Sequence, residues 1–132
     1  MKVLLDHNLP PRLARALNII FEPDDEVIAL RDKFGRSDLS DENWITQLGR
    51  EGHWVVLSAD FRIAKKKPSR DILLSAGLLG LFLSPSMQKA KLERQAARLL
   101  TLWPQIRILV STVGSGVFEV PASGQKFRTI GR

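Results

Sequence analysis

Three aspartates, Asp6, Asp41 and Asp60, stand where a folded α/β chain can bring carboxylates together. Asp6 directly follows an apolar run, and Asp60 lies just beyond another apolar run further along the chain. Asp41 and Glu42 open a segment that has a helical pattern. Because parallel strands end at one edge of a sheet, and ligands bind beyond that edge, these acids can meet at a single site.

Clustered carboxylates imply a particular chemistry. They repel one another unless they are protonated or bridged by a cation, and Mg²⁺ and Mn²⁺ prefer such oxygen ligands. A bound ion of this kind can hold a phosphate oxygen, activate a water nucleophile and stabilise a leaving oxygen. We therefore take Asp6, Asp41 and Asp60 as candidate catalytic and metal-binding residues, with Glu42 as a further metal ligand. The structural alternative is that each acid only caps a helix or closes a turn.

Five short apolar runs predict the buried strands that would position these acids. The runs cover residues 3–5, 26–30, 54–58, 78–83 and 107–111. Helical patterns alternate with them, which predicts an α/β fold with helices on both faces of a central, mostly parallel sheet of about five strands. Residues 117–120 are expected to form an edge strand or one arm of a hairpin.

Capping residues set the predicted limits of the first helices. Asn8 is expected to cap a helix that begins at Pro10 and Pro11, because prolines suit a first turn whose N–H groups have no partner. Residues 31–40 are expected to form a loop, and Ser40 is expected to cap the next helix.

Two more helices are predicted in the second half of the chain. Ser69 is expected to cap a helix over residues 70–76. Apolar residues recur at helical spacing over residues 86–103, which predicts a long amphipathic helix that Pro104 stops.

Charge is divided unevenly along the chain. Residues 1–60 hold seven Lys/Arg and eleven Asp/Glu, whereas residues 61–132 hold thirteen Lys/Arg and three Asp/Glu. A polyanion that approaches a metal held by carboxylates needs both kinds of surface, so this division favours nucleic acid as the partner. The candidate phosphate-binding residues directly follow Asp60, and they are Arg62, Lys65, Lys66, Lys67 and Arg70. Their structural alternative is a solvated helix face.

The composition also limits the class of protein. There is no cysteine, so disulfides and thiolate metal sites are excluded. No apolar run reaches the roughly 18 residues of a membrane span, and the chain opens on a strand pattern in place of a signal peptide. These features favour a cytoplasmic protein without a membrane segment.

Three segments together resemble a known family. The opening VLLDHNLPPRLARAL is similar to the start of PIN-like domains, in which an Asp at the end of the first strand precedes a polar pair and Leu-Pro. The later segments DENWITQLGREGHWVVLSADFRI and GLLGLFL resemble the PIN-like domains related to VapC-type toxins. The resemblance covers about residues 1–110. It implies a three-layer αβα fold over residues 1–113, followed by a basic tail or edge hairpin over 114–132.

The resemblance also implies a function. It points to a Mg²⁺- or Mn²⁺-dependent endoribonuclease that cleaves RNA and is the toxin of a type II toxin–antitoxin pair. The expected protein partners are an antitoxin and a second copy of the chain in a homodimer. The resemblance places Asp6, Asp41 and Asp60 at the metal, with Glu42 and Asp38 as further contributors. The acid that often follows the first Asp is His7 here. The fourth acid of better-known relatives has no counterpart unless Asp71 supplies it.

Two alternatives stay open on these residues. A PIN-like module that binds RNA without cleaving it is compatible with the missing fourth acid. A phosphoacceptor domain also clusters acids at a sheet edge, but it needs a lysine after the last strands, and only Ser111 and Thr112 follow the predicted fifth strand. Cleavage assays distinguish the RNA-binding module from a nuclease. Incorporation of phosphate from a small phosphodonor distinguishes the phosphoacceptor domain from both.

Overall fold

The computed structural model describes residues 1–36 and 38–130, and its centre is a six-stranded sheet. The strands lie in the order β2-β1-β3-β4-β5-β6. Their bounds are β1 Lys2–Leu5, β2 Glu26–Ala29, β3 Trp54–Ser58, β4 Leu79–Leu83, β5 Gly116–Val120 and β6 Arg128–Thr129. Strands β1 to β5 are parallel, and β6 pairs antiparallel with β5.

Helices cover both faces of this sheet. Their bounds are α1 Pro11–Phe21, α2 Leu30–Phe34, α3 Asp41–Glu51, α4 Phe61–Lys65, α5 Lys67–Ser75, α6 Pro85–Gln88 and α7 Leu92–Val113. Helices α1, α6 and α7 pack on one face, and α2 to α5 pack on the other. The predicted three-layer αβα fold with a mostly parallel sheet is confirmed.

Alternation along each strand divides the core in two. Val3 and Leu5 of β1 face the layer of α1 and α7, whereas Leu4 faces the layer of α3 and α5. In β3, Leu57 and Val56 divide in the same way. Successive side chains of a strand point to opposite faces, so a strand covered on both sides has to be apolar throughout. This is why the central strands appear in the sequence as unbroken apolar runs.

The topology creates a crevice beside β1. From β1 the chain passes through α1 to β2 on one side, and then returns to place β3 on the other side. The connections that leave β1 and β3 therefore run to opposite faces of the sheet. Such a switch point opens a crevice at the carboxyl ends of the two strands, and open α/β sheets bind ligands there. Asp6 follows β1 and Asp60 follows β3, so both acids lie at this crevice.

The predicted fifth strand over residues 107–111 is wrong, because this segment belongs to α7. Pro104 lies inside α7 and does not end it. Proline has no N–H to donate, so the carbonyl one helical turn earlier lacks its usual hydrogen bond. Because Pro104 is exposed, this carbonyl can bind water instead. The buried face continues through Leu102, Trp103 and Ile106, and this tertiary packing outweighs the proline. No helix within the described residues is long and apolar enough to span a membrane.

The fifth strand lies in the segment that was predicted as an edge strand or hairpin arm. β5 pairs in parallel with β4, and β6 turns back to pair with Phe118 and Glu119. The edge hairpin thus exists, and β5 joins it to the parallel sheet. Where one domain would end and a tail begin stays a prediction.

Three local predictions are also corrected. Residues 30–34 form α2, so the segment 31–40 is only partly a loop. Helix α1 has Pro10 as its N-cap, because the Asn8 side chain is used elsewhere. Helix α5 begins at Lys67, before the predicted cap Ser69, since a proline in the first turn loses no helical hydrogen bond. The Ser40 cap of α3 is confirmed, because its side chain accepts from the Asn43 N–H.

Gly49 is a close contact between α3 and α5. A Cβ placed on Gly49 would lie 2.7 Å from the Cβ of Ala76 and 3.2 Å from its Cα. Replacing glycine by alanine inside a helix normally stabilises it by about 1 kcal/mol. We expect Gly49→Ala to do the opposite and to lower the free energy of unfolding by about 1–2 kcal/mol in urea denaturation, because the overlap falls on backbone and a short side chain. Gly49→Ala in an Ala76→Gly background should recover most of the loss, and an additive double variant would contradict this contact.

Candidate active site

Asp6 is a fully buried carboxylate at the end of β1. Its Oδ1 accepts from the His7 backbone N–H at 2.6 Å and lies 2.7 Å from His7 Nδ1. Its Oδ2 accepts from the Ser58 hydroxyl at 3.1 Å. The backbone N–H of Asp6 continues the ladder of β1 by donating to the Leu57 carbonyl at 3.0 Å. Asp6 is therefore held in place from both strands that flank the crevice.

Asn8 and Ser58 connect the two loops that leave the crevice. Asn8 Nδ2 donates to Ser58 Oγ at 3.1 Å, and Asn8 Oδ1 accepts from the Ala59 N–H at 2.9 Å. The Asp60 N–H also donates to Ser58 Oγ, at 3.0 Å. These bonds set the position of Asp60 relative to Asp6. Asn8 thus bonds across the crevice and does not serve as the predicted helix cap, and Ser58 is a supporting residue that no sequence pattern indicates.

Burial dominates the electrostatics of Asp6. Loss of solvent raises the pKa of Asp6, and the Asp41 carboxylate acts in the same direction, while contacts with His7 and Ser58 oppose them. A carboxylate with a raised pKa at a ligand-binding edge is typical of functional sites. The charge of Asp41 has the smallest effect of these on Asp6, and the membership of both residues in one site stays a prediction.

Asp60 caps the helix that follows it and is bound to a cation. Its Oδ1 accepts from the Arg62 N–H at 2.9 Å, and the Arg62 guanidinium donates to Oδ2 at 2.7 Å. The hydrogen bonds from Arg62 lower the pKa of Asp60, with a smaller contribution from the charge of His7. Arg62 is exposed, and the Asp41 carboxylate also acts on it. The structure thus places Asp60 near the same crevice, in an ion pair with a predicted phosphate-binding residue.

Glu42, Asp38 and Asp71 do not line the cleft beside Asp6. Glu42 and Asp71 line a groove between α3 and α5, and Asp38 pairs with Arg36 on the surface. Asp41 accepts from the Trp44 indole N–H at 3.0 Å. Over residues 1–36 and 38–130, no group of three or more acidic, histidine or cysteine side chains is close enough together to hold a metal ion.

The residues at the crevice nevertheless fit a hard cation in their chemistry. Asp6, Asp41 and Asp60 offer only oxygen ligands, which Mg²⁺ and Mn²⁺ prefer. The Asp6 carboxylate is buried and feels the negative charge of Asp41, so a cation at this point would relieve an electrostatic cost. Asp60 would join such a site by exchanging Arg62 for the ion. The roles of these three residues, and of Glu42, stay predictions.

A cleft of about 300 Å³ opens beside Asp6 and reveals a cation that sequence analysis missed. His7, Pro11 and Arg31 are among the residues that line it. Arg31 is exposed, comes two residues after the end of β2, and forms no salt bridge within the described part of the chain. The sequence shows a basic residue just past a strand end. Because a loop was predicted there, the position of this residue relative to Asp6 could not be predicted. His7, which sequence analysis left out of the catalytic residues, contacts Asp6 directly.

The basic side chains of the predicted phosphate-binding segment differ in whether they have a bonding partner in the structure. Lys65, Lys66 and Lys67 are exposed and form no salt bridge among the described residues. Arg70 is half-buried and donates to the Ala64 carbonyl at 3.4 Å. The segment forms α4 and the start of α5, which directly follow Asp60. Cations therefore stand on both sides of Asp6, with Arg31 beyond β2 and this segment beyond β3.

A family model described as PIN like domain matches residues 1–85, which include the strands β1 to β4 and all the acids discussed above. Comparison with curated proteins gave no match, and neither did comparison with solved structures. PIN-like domains are nuclease-type modules, and PIN-like nucleases usually use divalent metal ions. The matched region covers four of the six strands, the switch-point crevice and the acids at its edge, so the chain belongs to the PIN-like domain family.

Proposed function

We propose that this protein is a metal-dependent endoribonuclease. The observation that carries the proposal is the buried Asp6 carboxylate at the switch point of the sheet, which the charge of Asp41 reaches. The distribution of charge also supports the proposal, because Arg31 and the lysines at 65–67 lie on either side of this carboxylate. An RNA backbone needs both a cation site at the scissile phosphate and basic residues along its path.

Each residue of the crevice has a part in this proposal. Asp6, Asp41 and Asp60 would hold Mg²⁺ or Mn²⁺, with Glu42 as an outer candidate. When bound, such an ion supplies a Lewis acid and an activated water for phosphodiester hydrolysis.

The surrounding side chains orient the acids and bind the substrate. Ser58 and Asn8 fix the direction of the Asp6 carboxylate, and the His7 N–H holds its other oxygen. The phosphate backbone would be bound by the basic side chains, and these are Arg31, Arg62, Lys65, Lys66, Lys67 and Arg70.

We also propose a biological role as the toxin of a type II toxin–antitoxin pair in the cytoplasm. This role rests on the resemblance to VapC-type toxins. A protein antitoxin or a second copy of the chain would need an apolar surface. The layer of α1 and α7 exposes Ile19, Ile20 and Ile108, with 71%, 55% and 62% of their surface accessible. Exposed side chains of this size on one layer are compatible with a protein partner.

Metal dependence tests the proposal. Protein treated with EDTA and passed into metal-free buffer should not cleave a fluorescently labelled single-stranded RNA, and added Mg²⁺ or Mn²⁺ should restore cleavage. Gel analysis of the products over time is the measurement, with Ca²⁺ as a matched cation that demands less strict geometry. Equal cleavage in excess EDTA would exclude the proposed mechanism.

A second candidate function is RNA binding without cleavage. It is favoured by the ion pair between Asp60 and Arg62 and by the lack of a three-residue metal cluster within the described residues. This function predicts RNA binding that falls steeply with salt and does not change on adding metal. Intact RNA after long incubation with Mn²⁺ would favour it over the nuclease.

A further inference from the structure

A second cleft lies at the carboxyl edge of the sheet, away from Asp6. It encloses about 220 Å³ between the ends of β4 and β5 and the loop that leads to β6. Its polar lining comes from Ser84, Glu119, Ser123, Lys126 and Arg128. The proposed active site uses none of these residues. The match to the PIN-like family ends at residue 85, so four of the five lie outside the matched region.

The wall of this cleft is held in place by α7. Arg98 of α7 donates through Nε to the Pro121 carbonyl at 2.9 Å, and its Nη2 donates to the Gly124 carbonyl. The Ser84 N–H donates to the Val120 carbonyl at 3.1 Å, which joins the floor to the end of β5. The hydrogen bonds of Arg98 fix the loop, so the cleft is formed before any ligand arrives.

The floor of the cleft contains a polar atom without a partner. Ser84 has only 7% of its surface exposed, and its Oγ is buried without a hydrogen bond in the described structure. Ser84 is also the N-cap of α6, yet its side chain makes no capping bond. Buried hydroxyls in proteins are almost always hydrogen-bonded, so one that is not calls for a ligand or a water molecule.

The charges at the cleft favour an anion that also carries hydroxyl groups. Lys126 and Arg128 are exposed and form no salt bridge among the described residues, and they outnumber the one carboxylate, Glu119. Glu119 and Arg128 lie opposite each other in the register of β5 and β6. Cations of this kind bind phosphate oxygens, and a carboxylate can only accept, so it would bind a sugar hydroxyl. Phosphate and hydroxyl together describe a ribose phosphate unit.

The geometry points to a subsite for ribose phosphate in this cleft, and we propose that an RNA strand supplies the ligand. The strand order is β1, β3, β4 and β5, so two strand spacings, about 10 Å, separate the two sites along one edge. A short stretch of single-stranded RNA covers this distance. The choice of RNA as the source rests on the proposed function, whereas the cleft and its chemistry do not.

Binding without cleavage tests the subsite. Fluorescence anisotropy of a labelled single-stranded RNA, recorded in EDTA, should show several-fold weaker binding for Lys126→Gln and for Arg128→Gln. Each variant should also lower the slope of log affinity against log salt by about one. The matched control is Arg50→Gln, which removes one exposed charge from the last turn of α3. If Arg50→Gln weakens binding as much as the cleft variants, the effect is general charge loss and the subsite is wrong.

The sugar contact has its own readout. The wild-type protein should prefer RNA over DNA of the same sequence, because only RNA offers the 2′-hydroxyl, and Glu119→Ala should reduce this preference. An unchanged preference would contradict the assignment of Glu119. These measurements need no catalysis, so a failed nuclease assay leaves them valid.

The source of the phosphate is decided by small ligands. In NMR titrations, ribose 5-phosphate and inorganic phosphate should each shift the amide signals of Ser84 and Ser123 in the wild type and not in Arg128→Gln. Shifts with ribose phosphate but none with RNA would keep the subsite and reject RNA as its source. No shift with any of the three would mean that the Ser84 hydroxyl meets ordered water only, and would overturn the proposal.

Discussion

Replacing Asp6 by asparagine should reduce RNA cleavage by about 100-fold or more. The reason is that a metal site from which a carboxylate ligand is removed loses several kcal/mol of transition-state stabilisation. Asparagine keeps the size and one oxygen of the side chain. That oxygen can accept from the His7 N–H, and the Ser58 hydroxyl can donate to Asn8 Oδ1 instead. The measurement is the initial rate of RNA cleavage at saturating Mn²⁺. Undiminished cleavage by Asp6→Asn would contradict the proposed active site.

The same variant should fold at least as stably as the wild type. Burial raises the pKa of Asp6, so its ionised form destabilises the folded state at neutral pH, and a neutral amide removes this cost. Urea denaturation should therefore show an equal or higher midpoint for Asp6→Asn. Asp24→Asn, an exposed neutralisation in the loop before β2, is the matched control and should keep full cleavage. Loss of activity together with loss of folding would leave Asp6 a structural residue.

Replacing Asp25 by alanine should lower the free energy of unfolding by about 3 kcal/mol. Asp25 is buried, and its Oδ2 accepts from the Trp103 indole N–H at 2.9 Å and from Arg107 Nε at 3.0 Å. Its Oδ1 accepts from the Met1 ammonium at 2.8 Å. Alanine would leave the Trp103 N–H buried without an acceptor. Arg107 is half-exposed and contributes less, because water screens it.

The loss should be visible in urea denaturation at neutral pH, with Asp24→Ala as the adjacent exposed control. Burial alone would raise the pKa of Asp25, but hydrogen bonds from the Met1 ammonium, Trp103 and Arg107 outweigh it and lower the pKa. A lowered pKa stabilises the fold above the ordinary pKa of an aspartate, and this contribution disappears as the pH falls through the folded value. The difference between wild type and Asp25→Ala should therefore shrink in acid, below about pH 4. A difference that does not depend on pH would contradict the role of the charge.

Asp6 and Asp25 show how environment separates two buried aspartates. Asp25 meets an ammonium, an indole N–H and a guanidinium, and its pKa falls. Asp6 meets a hydroxyl, an amide and one histidine, and its pKa rises. The sequence shows Asp6 as a single acid after an apolar run and Asp25 as one of three consecutive acids before another. Only the three-dimensional arrangement distinguishes a structural ion pair from a carboxylate that lacks a strong cation.

The sheet could be predicted from sequence wherever both faces of a strand are buried. β1, β3 and β4 are apolar at every position or nearly so, and each was predicted within one or two residues. The end of α7 could not be, because residues 107–111 are equally compatible with a buried strand and with a helix whose one face is covered. Pro104 favoured the wrong alternative, since its local cost is outweighed by the packing of Trp103 and Ile106.

The positions of Asp6 and Asp60 at one edge of the sheet could be predicted from sequence, and the groups that hold them could not. Asp6 and Asp60 follow strands, and topology then places them at one crevice. Ser58 and Asn8 join the two loops through contacts between residues about fifty positions apart, and no local pattern marks such contacts. Arg31 was hidden because α2 begins directly after β2 with no loop between them.

The hairpin at the end of the sheet limits how this protein can assemble. β6 spans two residues and occupies the side of β5 that would otherwise offer free backbone groups. The opposite border is β2, four residues long and opened by a glutamate. Short, charged borders are poor templates for the addition of a foreign strand. A protein that binds this chain should therefore dock on its helical layers, and a peptide that extends the sheet should be a weak competitor.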